Sequence, residues 1–95
     1  MGIKQEQNQS KGTFNVEEDG LRLAELEYSM ANKNLMIINH TKVDELLKGK
    51  NIGNQLVNMA AHFARTHHHK IFPLCPFANA VMKKKAAFAD VLRDN

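Results

Sequence analysis

Two hydrophobic periods divide this chain. From Gly12 to Val43 the apolar pattern is that of strands, and from Ile52 apolar residues recur at helical spacing. After Gly12, Phe14 and Val16 alternate with polar neighbours, and Glu18-Asp19-Gly20 is a turn signal. Ala24, Leu26, Tyr28 and Met30 share one face of the next segment, while Glu25, Glu27 and Ser29 share the other, which predicts a half-buried antiparallel strand. Asn32-Lys33-Asn34 makes another turn. Leu35, Met36, Ile37 and Ile38 are apolar on both faces, which predicts a central strand covered on both sides. Unbroken alternation carries His40 and Lys42 on the Met36/Ile38 face, and Thr41 and Val43 on the Leu35/Ile37 face.

Ile52, Leu56, Met59, Ala60 and Phe63 predict a helix over 52–66, ended by His67-His68-His69. Ile71, Phe72 and Leu74 predict a short strand over 70–75. A helix separates it from the strand before, so the two should pair in parallel through a right-handed crossover. Pro76 suits the first position of a last helix or helix pair, with Ala78, Val81, Met82, Phe88 or Ala89, and Leu92 on its apolar face. The predicted order is β-β-β-α-β-α, an α/β (α+β) fold in one domain over 12–95. Residues 1–11 carry Gln5, Gln7 and Gln9 with no apolar period, and read as a disordered or frayed tail.

Composition narrows the partners. The 95 residues carry a formal charge of +3, much of it in Lys48/Lys50 and Lys83-Lys84-Lys85. Two small clusters suit an anionic ligand better than a nucleic-acid track, which calls for more Lys/Arg and surface aromatics. The single cysteine excludes an intrachain disulfide and points to a reducing compartment. No apolar run approaches the roughly 20 residues of a membrane span. The N-terminal residues have no signal-peptide core, and Glu6 stands where myristoylation needs Ser or Thr. A cytoplasmic protein is expected, monomer or homodimer, without nucleic acid or membrane partners.

Lys48-Gly49-Lys50-Asn51-Ile52-Gly53-Asn54 is the segment that points most directly to a ligand. It follows the end of a strand and opens a helix, whose first amides lack intrahelical partners and face the positive end of the helix dipole. Gly49 and Gly53 remove Cβ atoms that would hold a ligand off the backbone, and Lys48 and Lys50 add cations. The turn therefore reads as a phosphate cradle, against the plainer reading of a glycine-made bend.

Cys75 ends a strand before Pro76 and a helix, a position where free amides favour thiolate. His40 falls near the end of the adjacent parallel strand and would be its base. Cys75 then either accepts an acyl group or lines a channel, against the common fate of a buried structural cysteine. His40 would alternatively polarise an amine, or be a satisfied strand-end histidine. Glu25 and Glu27 offer a base acting through water, against solvated strand carboxylates. His67, His68 and His69, with His62 nearby, point in different directions with no acid or thiol to complete a ligand set, so no metal site is expected. Lys83, Lys84 and Lys85 would touch a ligand phosphate or an acidic partner, or form a solvated helix face.

With His40-Thr41-Lys42-Val43, Lys48-Gly49-Lys50-Asn51-Ile52-Gly53 and Pro73-Leu74-Cys75-Pro76-Phe77 in this order, the chain resembles the GNAT superfamily of N-acetyltransferases. More closely it resembles the short, single-domain GNAT-like family, over residues 14–92, with Phe88-Ala89-Asp90-Val91-Leu92 similar to that family's C-terminal helix. The resemblance implies acetyl-CoA in the splay between two parallel strands. Pantetheine would pair with the backbone of Thr41, Lys42 and Val43, and pyrophosphate would sit on the amides of Lys48, Gly49, Lys50, Asn51, Ile52, Gly53 and Asn54. Pro76, Phe77 and Asn79 would complete the cofactor contacts, with Cys75 and His40 as catalytic residues. It implies an acetyl-CoA-dependent N-acetyltransferase acting on an unidentified amine, small molecule or protein; the alternative is a non-catalytic CoA-sensing or partner-binding module. Two residues depart from the family pattern. Lys48 replaces Arg or Gln and loses the planar fork, and Asn51 replaces a glycine while tolerating a left-handed backbone. Segments with which larger members build an acceptor pocket have no counterpart in this sequence, which implies an open acceptor site or one completed by a second subunit. The tyrosine acid of those larger members has none either, since Tyr28 lies on an earlier strand.

Overall fold

The alternating half of the chain folds, in a computed structural model that describes residues 2–93, into four antiparallel strands. These are β1 (Lys4–Gln7), β2 (Lys11–Glu18), β3 (Leu21–Asn32) and β4 (Leu35–Val43). The helical half supplies α1 (Ile52–Thr66), β5 (Lys70–Pro73) and α2 (Pro76–Lys84). β5 joins β4 in parallel, so the mixed α/β sheet has the order β1-β2-β3-β4-β5. Asp19 and Gly20 turn β2 into β3 with φ of 51° and 79°. Positive φ at both positions is what a two-residue hairpin requires, and Asp-Gly supplies it.

Both helices pack on one face of the sheet. Phe14, Val16, Leu26, Tyr28, Met36 and Ile38 meet Leu56, Val57 and Ala60 of α1 and Ala78 and Met82 of α2 in a single core. Among the described residues no helix covers the other face. Leu35 and Ile37, expected to be buried, are only half-buried there. The central strand is therefore covered on one side, and its second apolar row borders a charged surface of Arg22, Glu25, Glu27 and His40.

Three further features differ from the sequence reading. Residues 4–7 of the expected frayed tail form β1, paired with β2 from Lys4↔Asn15 to Gln7↔Gly12. An edge strand exposed at every residue shows no apolar alternation, so its pattern was silent. Gln5 Nε2 donates to Tyr28 Oη at 2.8 Å, and that hydroxyl donates to Gln7 Oε1 at 3.1 Å. Met1, Asp94 and Asn95 lie outside the described residues. At the other end, the helix expected over 88–92 is a 3-10 turn, Ala86–Phe88, followed by a parallel bridge from Leu92 to Ile71. Arg65 grips the Asp90 carboxylate with two hydrogen bonds, of 2.6 and 3.0 Å, which ties this segment to α1.

The third difference changes the site. Glu27 pairs with His40 and Tyr28 with Ile38, which leaves Asn39 as an extra residue on β4. A bulge reverses the faces beyond it. Thr41 and Val43 consequently pair with Leu26 and Ala24 on the helix-covered face, while His40 and Lys42 pair with Glu27 and Glu25 on the open one. The assignment by unbroken alternation is inverted past Ile38.

Tyr28 lies across Gly12, its partner on β2, and packs against Phe14 and Phe63 at centroid distances of 5.5 and 6.2 Å. A methyl at Gly12 would overlap Cζ and Oη of that ring. Gly12→Ala should displace Tyr28, free its bonds to β1 and cost about 1–3 kcal/mol. Thermal denaturation should show a fall in Tm of at least roughly 4 °C, and an unchanged Tm would mean the ring is not held there.

Candidate functional site

β4 and β5 part at one rung. Their parallel pairing runs from Leu35↔Lys70 to Ile38↔Pro73 and stops, while β4 continues to Val43. Leu74 N donates to Phe72 O at 3.1 Å, so the chain makes a tight turn about Pro73 instead of extending the ladder. The fixed φ of proline is pre-set for such an inverse γ-turn. Cys75 N then donates to Ile38 O at 3.0 Å and fixes the start of α2. Beyond that bond the β4 backbone on this side has no strand partner among the described residues.

The gap opens into a cavity of about 350 Å³. Thr41 and Val43 form one wall, residues 47–49 and 51–54 the end, and Phe77 the other wall. Gly49 (φ 83°) and Asn51 (φ 62°, ψ 26°) both adopt left-handed backbone. Asn51 tolerates that conformation, so the turn keeps its shape without a glycine. The Asn51 side chain accepts from Asn54 Nδ2 and makes no capping bond to the helix backbone. The first-turn amides of α1 are consequently left for a ligand, and no acidic residue occupies that turn. A Cβ at Gly53 would stand 2.7 Å from Phe77 Cζ, so glycine lets the ring close over the helix end.

The candidate binding residues separate into groups. Thr41, Val43, Lys48, Gly49, Asn51, Ile52, Gly53, Asn54 and Phe77 are brought together around this cavity. Lys48 also lies 3.6 Å from Glu45. Lys50 and Pro76 are exposed nearby but outside the lining. Lys42 borders a different cavity with Arg22 and Glu25, and only its backbone follows the gap. Asn79 faces away as well, into a cavity shared with Phe72, Lys83 and Arg93. Spacing along α2 carried one signal that was not used: Phe77, Ala80, Val81 and Lys84 share a helix face, and they line the adjoining cavity.

Cys75 is buried behind Thr41, with Sγ 3.6 Å from Thr41 Oγ1. Burial pushes its thiol pKa up, but the Ala78 and Phe77 amides and the Thr41 hydroxyl and backbone outweigh that. The net position is below the ordinary thiol value, although Sγ makes no formal capping bond to α2. The structure does not bring His40 to Cys75. The bulge at Asn39 turns His40 to the open face, where Nε2 lies 3.2 Å from Glu25 Oε2 and Nδ1 3.3 Å from Glu27 Oε1. Burial pushes the Glu25 carboxyl up, but hydrogen bonds to His40 and Arg22 leave it below the usual carboxylate range. His40 therefore sits between two carboxylates across the sheet from the thiol, and cannot serve as the base of Cys75. His67 and His69 pack against Phe63 at the far end of α1, with His67 Nδ1 2.9 Å from Phe63 O.

Known proteins share the fold and the sequence pattern of the chain. The family described as GCN5-related N-acetyltransferase matches residues 13–91. A GCN5-like protein from Staphylococcus aureus, its solution structure determined by NMR, is 30% identical, with a TM-score of 0.74 over 99% of this chain and 89% of its own. An acetyltransferase from Vibrio fischeri shares the fold at 13% identity, with a TM-score of 0.57 over 72% of this chain and 63% of its own. No curated protein matches the chain.

The Cys75 environment has a measurable consequence. Alkylation by iodoacetamide should titrate with a midpoint below the roughly 8.5 of an unperturbed thiol. Thr41→Val removes the hydroxyl that favours thiolate, so its midpoint should move up. A wild-type midpoint at or above 8.5 would mean that burial governs the thiol.

Proposed function

The chain belongs to the GCN5-related N-acetyltransferase family, and from that premise we propose that it moves an acetyl group from acetyl-CoA to an amine. The observation that carries this reading is the cavity at the parting of β4 and β5, ended by unpaired first-turn amides of α1. Those amides suit the pyrophosphate of CoA, and glycine at 53 lets the Phe77 ring stand against the helix end beside it. The free backbone of residues 41–43 suits the pantetheine amides, and leads toward Thr41 and Cys75, where the thioester would lie.

The two faces of the gap then take different work. The donor enters on the helix-covered face and the amine on the open one, and the two meet between the diverging strands. His40 accepts a proton from the ammonium form of the acceptor, with Glu25 and Glu27 orienting its ring. Direct transfer ends with the amine nitrogen bonded to the acetyl carbon and the carbon–sulfur bond of acetyl-CoA broken. In a covalent route the Cys75 thiolate first displaces CoA as its thiolate, one carbon–sulfur bond replacing another. The amine then displaces Cys75 from the acetyl carbon, its remaining proton passing to a departing sulfur. The low thiol pKa suits the covalent route, and the separation of His40 from Cys75 suits the direct one.

Coenzyme A should raise Tm by mass action, by about 2.7 kcal/mol of stability at 100 times its dissociation constant. Gly53→Asp should abolish that shift. No shift with wild type at millimolar CoA would sink the reading. In assays of CoA release with a panel of amines and lysine peptides, His40→Gln should keep CoA binding and lose roughly 100-fold in turnover. Cys75→Ala should retain turnover if transfer is direct and lose it if an acetyl-thioester forms. Binding of CoA without release, whatever the amine, would identify a non-catalytic CoA-sensing module instead.

A further inference from the structure

We infer that the cleft continues past Phe77 to a second phosphate site, made by Lys84 and Lys85, which takes the 3′-phosphate of the CoA adenosine and selects CoA over its dephospho form. This rests on the CoA reading above. A second cavity, of about 440 Å³, adjoins the first, and the two share Asn54 and Phe77. Ala80 and Val81 floor it, and Lys84 and Lys85 close its far end.

Three features fit an adenosine with a terminal phosphate. The shared wall is an aromatic ring, Phe77, which is 42% exposed and flanked by small apolar side chains. That is a surface for a purine, whose face is apolar and whose stacking tolerates an aromatic neighbour. Lys84 follows Phe77 by seven residues on α2, about 10 Å at 1.5 Å per residue, which sets a cationic end about the length of a nucleoside along the helix from the ring. Neither cavity is lined by a carboxylate, and Lys84 and Lys85 form no ion pair among the described residues. A ligand with an anion at each end and a flat neutral group between matches this arrangement.

Lysines near a helix C-terminus also complement the helix dipole, and Lys83 has that position as fully as Lys84. Lys83, however, lines the cavity on the other flank of α2 with Asn79 and Arg93. It therefore separates the two roles.

Calorimetric titration with CoA and with 3′-dephospho-CoA, at physiological salt so that long-range attraction is screened, tests the site. Wild type should bind CoA about tenfold more tightly than dephospho-CoA, the scale of two exposed charge pairs. The double variant Lys84→Gln/Lys85→Gln should bind CoA as weakly as dephospho-CoA and leave dephospho-CoA affinity unchanged. Lys83→Gln should keep the full preference. Equal affinity of wild type for both ligands, an equal loss for both in the double variant, or a like loss in Lys83→Gln would overturn the inference while leaving the cleft intact. Failure of wild type to bind either ligand would overturn the CoA reading and this site with it.

Discussion

The structure depends on where β4 and β5 stop pairing. Proline at position 73 sits on the side of β5 away from β4, because the amide and carbonyl of Ile71 point outward to Val91 and Arg93. Its missing N–H consequently costs no ladder bond to β4, and its ring fixes the turn that carries Leu74 off the sheet. A single bond, Cys75 N to Ile38 O, then holds the departing chain at a fixed distance. Everything proposed for the cleft follows from that tie: the free edge of β4, the placement of the α2 amides beside a thiol, and Phe77 over Gly53. A residue held extended at 73, without the turn, would let the ladder run on and close the gap.

The opposite strand contributes at the same level. The extra residue at Asn39 turns the sheet inside out just where the gap begins, so that Thr41 faces the helices and His40 the open surface. A hydroxyl near a thiol and an imidazole between two carboxylates are thereby supplied by neighbouring residues of one strand. They serve opposite sides of one opening. A regular strand cannot offer its neighbours to one reacting centre in this way, except through a break in the sheet.

Much of this was legible in the residues, and the failures share a cause. The hairpin at Asp19-Gly20, the bounds of α1 and the left-handed position at Asn51 were readable because each rests on local chemistry that tertiary contacts leave alone. The turn residues also came together as one cavity wall with Phe77. β1 was missed because an exposed edge strand buries no side-chain row, and its order comes from Tyr28, which lies 23 residues away from Gln5. The segment after α2 mimicked helical spacing, since a 3-10 turn followed by a bridge also buries Phe88 and Val91. The pairing of His40 with Cys75 failed through the bulge. Alternation reads a strand correctly only while its register is unbroken, and nothing in Asn39 itself announces the break.

That bulge makes one position of β4 dispensable and its neighbours not. Replacing Asn39 changes one half-exposed side chain, which lies 3.2 Å from Ser29 Oγ. Deleting it leaves Ile38, His40 and Thr41 opposite Tyr28, Glu27 and Leu26, so each keeps its face and only the local kink is lost. Deleting Thr41 instead sets Lys42 opposite Leu26, on the helix-covered face, and takes the hydroxyl from the gap. A deletion scan of this strand would find position 39 among the most tolerant and position 41 among the least. Homologous chains should accordingly vary in length at position 39 while keeping the alternation that follows it.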